Sequence, residues 1–169
     1  DLPGITGTRI MGGEDGGIVR RGNTAVTEDV AMVDPTFFQV FDLPMVTGQG
    51  AGALSDPTAA IISETAARRY FGESEPVGQT LTVSVFEPVD YRIAGVFRDV
   101  PANSDLQAAI LLPLPADMKT RNERWDNWGS SSLQTFLRMS DPAAARAFDA
   151  AMPALVDRRG QADLGEAPS

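Results

Sequence analysis

The chain of 169 residues contains no cysteine and no histidine. Without cysteine it can hold no disulfide, no thiolate nucleophile and no thiolate-ligated zinc. That absence does not assign a compartment, because cysteine-free proteins occur on both sides of a membrane. Without histidine it lacks the commonest general base and the commonest metal ligand, and a Ser-His-Asp triad is excluded. Basic charge is scarce as well. Lys119 is the only lysine, the formal net charge is -9 and the sequence pI is near 4.4. Such a balance offers no basic footprint for nucleic acid and no polybasic patch for anionic lipid. Solubility is the simplest role for the acidity. No apolar run approaches the ~20 residues that span a bilayer, and no basic segment followed by an apolar stretch marks a signal peptide. The ends, Asp1-Leu2-Pro3-Gly4 and Gly165-Glu166-Ala167-Pro168-Ser169, read as boundaries or linkers.

What is present suffices for a folded core. The hydrophobic fraction is 43% and the charged fraction 22%, which suits one domain or two small lobes and argues against disorder. Catalytic patterns are missing. There is no G-x-S-x-G and no S-x-x-K, and no D-x-[DN]-x-[DN]-G calcium loop. The cluster Gly12-Gly13-Glu14-Asp15-Gly16-Gly17 lacks P-loop spacing, and its two acids would repel a phosphate. Asp90 and Asp99 flank a strand, where turn aspartates belong in any case. The expectation is therefore no enzyme, with no catalytic, cofactor-binding or metal-ligating residues and no cofactor.

The order of local signals is informative. Ile5–Met11 reads as a strand, the glycine cluster as a turn, and Ile18–Arg20 as the returning arm of a hairpin. Val26–Val33 reads as a further strand. Asp34-Pro35 predicts a helix start, with Asp as N-cap and Pro at the first position. Phe37 and Phe41 then share one face as a core anchor. Ala59–Ile62 predicts a buried strand. A helix follows, capped by Ser63 and closed at Gly72, with Arg68 and Arg69 near its C-terminal end. Leu81, Val83 and Val85 alternate with Thr80, Thr82 and Ser84, predicting a strand paired with Tyr91–Arg98, where Gly95 marks a bulge or close packing. Ala108–Leu112 and Leu133–Met139 read as strands. Asp141-Pro142 opens a last helix that Pro153 should kink or shorten. Trp125 and Trp128 stand among polar residues. They are candidate partner contacts, or else plugs between lobes.

The segment from Ala31 to Leu114 resembles the extracytoplasmic core domain of MacB-like, FtsX-superfamily ABC transporter permeases. The resemblance rests on Val33-Asp34-Pro35-Thr36-Phe37-Phe38, on Ala60 to Gly72, on Pro76-Val77-Gly78-Gln79-Thr80-Leu81, and on Gly95 through Ser104. It implies an α+β fold with two lobes. Residues 1–54 and 133–160 would form a porter-like, membrane-proximal α/β lobe, residues 55–132 an inserted Sabre-like mixed lobe, and 161–169 a tail. It further implies a non-catalytic domain outside the cytoplasmic membrane of a bacterium. In the full-length, dimeric permease it would couple ATP-driven helix movement to substrate export or to a periplasmic partner. The implied partners are an ABC ATPase, reached through the membrane helices, and a periplasmic adaptor or envelope protein. Two alternatives are an FtsX-like regulator that activates a cell-wall hydrolase and a free-standing periplasmic binding protein.

Overall fold

The computed structural model describes residues 3–104, 106–117 and 133–159. Its strands are β1 (Ile5–Arg21), β2 (Thr24–Val33), β3 (Met45–Gly48), β4 (Ala59–Ser63), β5 (Thr80–Ser84), β6 (Pro88–Phe97), β7 (Ile110–Pro113) and β8 (Leu133–Met139). Its helices are α1 (Phe37–Val40), α2 (Glu64–Phe71) and α3 (Pro142–Arg159), with one 3-10 turn at Ala53–Ser55. The class is α+β, as expected.

The pairing closes on itself. Strand order runs β2-β7-β4-β6-β5-β1, and β1 also pairs with β2, so six strands form a ring. β8 and β3 hang from it on β1 and β6. Within the ring β1, β4 and β6 run one way, while β2, β5 and β7 run the other. Side chains alternate across the wall. Val19, Met32, Ile62, Leu81, Ile93 and Ile110 belong to one cluster to which every ring strand contributes, which places it inside. Ala31, Val33, Ile61, Phe97 and Leu111 point outward, where Phe37 and Leu54 cover them. β4 and β7 are therefore buried at every position, the signature of strands with both faces packed.

Two irregularities make the closure possible. Between Gly13 and Gly17, β1 advances four residues while β2 advances two, from Val30 to Glu28. The glycine cluster is thus a bulge inside one long strand, not the expected turn. The actual hairpin turn is Gly22-Asn23, between paired Arg21 and Thr24, with Gly22 at φ 58, as tight two-residue loops favour. A two-residue excess bends the strand without exchanging its faces. The second bulge lies at Ala94-Gly95, where β6 slips by one residue against β4. A one-residue slip swaps faces, and it places Val96 inside the ring and Phe97 outside. Gly95 also lets the Gln49 backbone approach where a Cβ would collide with it.

Two expected helix signals behave differently. Asp34 does not cap α1, whose N-cap is Thr36 with no side-chain cap bond. Its carboxylate accepts instead from the Arg9 backbone N–H at 2.9 Å and from Arg9 Nε and Nη2, both at 2.8 Å. A bidentate guanidinium outcompetes a local backbone donor. Pro153 lies inside α3 and does not end it. Pro153 and Asp149 are both exposed, so water can serve the carbonyl that loses its donor. Phe37 stacks on Phe41 with centroids 4.9 Å apart, and Phe41 meets Phe136 of β8 at 5.1 Å.

Hydrogen-bonded pairing joins residues 1–54 to residues 55–132. β1 and β2 pair with β5 and β7, which lie within 55–132. A long bent β1 makes this possible, because one of its edges serves β8 along Ile5–Met11 and β5 along Ile18–Arg20.

Candidate functional site

The ring has two mouths, and among the described residues one of them is closed by a helix. α2 follows directly from the end of β4 and lies across the first mouth, with Ala66, Tyr70 and Phe71 in the inner cluster. Its caps are those expected. Ser63 Oγ accepts from the Ala66 N–H at 3.1 Å, and Gly72 at φ 60 ends the helix. A second acceptor comes from the far side of the chain. Asp99 accepts from the Thr65 N–H at 2.9 Å and from the Thr65 hydroxyl at 2.7 Å. Burial raises the Asp99 carboxyl, but these two bonds, the Arg68 charge and Ser63 together hold it below its ordinary value. The Gly95–Ser104 segment is therefore structural. Its glycine admits a backbone, its aspartate caps α2, and its Ser104 closes a turn onto the Pro101 carbonyl at 2.9 Å.

Under α2 lies a charged cluster that sequence reading missed. Glu28 of β2 is only 7% exposed and shares the parity of the inward Val30 and Met32. It accepts from Arg69 and, at 2.7 Å, from the Tyr70 hydroxyl. Burial, then the bond to Glu28, pushes the Tyr70 phenol well above its usual range. The Glu28 hydrogen bond and charge raise Arg69 further. Arg21 completes the bracing. It donates to the Tyr70 carbonyl at 2.8 Å and to Gln79 at 2.7 Å, and its guanidinium lies 3.8 Å from the Phe71 ring centroid. All these donors have partners, and the cluster pins α2 to the ring. The only sequence hint was an acid, Glu28, at an inward position of a strand.

The second mouth carries no helix among the described residues. There the ends of β2, β5 and β7 meet the starts of β4 and β6, around a cavity of about 490 Å³. Met32, Leu54, Tyr91 and Leu114 form its floor and walls. The β5–β6 hairpin overhangs it, with Phe86 65% exposed. Glu87 and Asp117 also line it. Trp125 and Trp128 lie outside the described residues. No group of three acids able to hold a metal is found among the described residues. No helix among them is long and apolar enough to cross a membrane.

The family model for the MacB-like periplasmic core domain matches residues 2–155. The chain belongs to that family, a periplasmic domain of ABC transporter permeases, which carries with it an extracytoplasmic location. Solved structures agree. A domain assigned to a permease of Porphyromonas gingivalis is 25% identical, with a TM-score of 0.72 over 94% of this chain and 72% of that one. The periplasmic region of MacB from Actinobacillus actinomycetemcomitans is 17% identical, with a TM-score of 0.62 over 92% and 68%. The extracellular domain of the ABC-type transporter YknZ from Gram-positive bacteria is 15% identical, with a TM-score of 0.62 over 94% and 79%. No curated protein matches the chain.

Proposed function

We propose that this chain is a non-catalytic coupling domain of an ABC transporter permease. It moves as a stiff body when a cytoplasmic ATPase drives the membrane helices, and it presses on substrate or on a periplasmic partner. The observation that carries the reading is the path of β1. Ile5 at its start pairs with Met139 at the end of β8, so the start of the first strand and the end of the last lie side by side. From there β1 runs through the glycine bulge into the ring, up to Arg21. Movement applied at that end reaches the ring along one hydrogen-bonded strand. Gating of this kind needs a well-packed body rather than reactive groups. Both-face burial of β4 and β7 supplies such packing.

The test uses the full-length permease with its ATPase, reconstituted in lipid. The domain lacks cysteine, so a Phe86→Cys spin label is unique within it. The expected result is a change in the distance between the two labels of a dimer when ATP replaces the nucleotide-free state. Identical distance distributions in both states would remove the coupling role.

A further inference from the structure

We propose that Asp34 is the positioning residue of the joint between the ring and the ribbon formed by Ile5–Met11 of β1 with β8. It locks the ribbon, so that displacement of the ribbon's end carries the ring with it. The purpose assigned to the lock rests on the coupling reading above. β2 pairs with β1 up to Val33, which lies opposite Ile10. There the chain turns away into α1, while Ile5 to Arg9 of β1 stay paired with β8. Continued by one and by three residues, the same register sets Arg9 against Asp34 and Gly7 against Thr36. In a regular antiparallel ladder each of those pairs would exchange backbone bonds.

Side chains continue the ladder where the strand stops. The Asp34 N–H still donates to the Arg9 carbonyl at 3.1 Å, but the Asp34 carbonyl is taken by the Phe37 N–H at 3.0 Å as the turn into α1 begins. Asp34 Oδ2 replaces that carbonyl and accepts from the Arg9 N–H at 2.9 Å. The Thr36 hydroxyl likewise donates to the Gly7 carbonyl at 2.7 Å. The Arg9 guanidinium then grips both Asp34 oxygens at 2.8 Å, and the Asp34 side chain is only 16% exposed. A two-bond planar contact fixes orientation as well as distance. The other strand of the ribbon is held by the same segment. Arg138 Nη1 donates to the Gln39 carbonyl at 3.2 Å, and Phe136 meets Phe41. Residues 34–41 thus clasp both strands of the ribbon, and buried Phe37 anchors them in the outer cluster of the ring.

The chain is weakly aligned in a stretched polyacrylamide gel, and amide residual dipolar couplings are measured for the ribbon (residues 6–9 and 134–138) and for β4 and β6. In wild type the two sets should fit one alignment tensor. In Asp34→Ala the ring couplings should keep their fit, while the ribbon couplings shrink and need a separate tensor. Asp34→Asn keeps an acceptor for the Arg9 N–H and should fall between the two. Thr36→Val removes a single bond and should loosen the ribbon in the same direction. These two variants carry the test if Asp34→Ala does not fold. One shared tensor in the folded variants, even with stability lost, would overturn the proposal, because the ion pair would then stabilise without positioning. Two tensors in wild type would overturn it as well. In the full-length permease, Asp34→Ala added to the Phe86→Cys label should abolish the ATP-dependent distance change while ATP hydrolysis continues, and a change of wild-type size would refute the lock. An unresponsive wild type there removes the coupling reading, whereas the gel measurement still decides whether Asp34 holds the joint.

Discussion

The ring and the β8–α3 arm are held very differently. In the ring, β4 and β7 sit between an inner and an outer apolar cluster, and every one of their side chains is buried. In the arm, no position of β8 is fully buried. α3 places only Ala144 in the buried class, with Phe148 and Met152 half-exposed. Apolar content alone does not fix how firmly a segment is held. The number of layers that cover it does. The arm joins the ring through β1 and the contact of Phe41 with Phe136.

The sharpest way to expose this difference is a pair of identical truncations. Phe97→Ala, at 1% exposure, should cost ~3–5 kcal/mol in urea unfolding. Phe148→Ala should cost no more than about 1 kcal/mol. Equal losses would erase the distinction. Next comes the β6 bulge. Gly95→Ala sets a Cβ against the Gln49 backbone and 2.7 Å from Met45 Cε, and should cost about 1–3 kcal/mol. A neutral result would mean that the closure tolerates a different register.

The plugged mouth allows two finer tests. Glu28→Ala strips the acceptor from Tyr70 and the partner from Arg69. It should cost about 1–3 kcal/mol, because Arg69, at 45% exposure, can turn to water. Asp99→Asn should be milder, roughly 0.5–1 kcal/mol at neutral pH, the low end for a lost cap on a side chain still 40% exposed. Its pH dependence has a definite sign. The folded carboxyl lies below its ordinary value of 3.8. The Asp99 contribution is therefore complete well above that value, and it is lost as the pH falls through the folded one. In acid titrations of unfolding free energy from pH 7 to pH 2, the gap between wild type and Asp99→Asn should close only near the bottom of the range.

Local chemistry was the legible part of the chain. The β5 alternation, the Ser63 and Gly72 caps, the Phe37–Phe41 stack and the Asp141 cap all follow from neighbours in sequence. Asp141 indeed accepts from the N–H groups of Ala143 and Ala144 at 2.7 and 2.9 Å. What escaped the reading depends on residues far apart. Asp34 meets Arg9 instead of its own helix. Glu28 finds Arg69 and Tyr70 some forty positions away. The glycine cluster looked like a turn because glycine permits both a turn and a bulge, and only the β2 register distinguishes them. The parallel pairing of β2 with β7 leaves no local mark at all. The second mouth was invisible for the same reason, since its described lining is gathered from positions 32 to 117.

The central claim is that a stiff closed ring carries a more loosely held arm. Hydrogen exchange followed by mass spectrometry tests it most directly. Amides of residues 59–63 and 110–112 should exchange only through global unfolding, while those of α3 (Pro142–Arg159) should exchange at least about ten-fold faster through local opening. Equal protection of ring and arm, or early exchange in β4 and β7, would contradict the account.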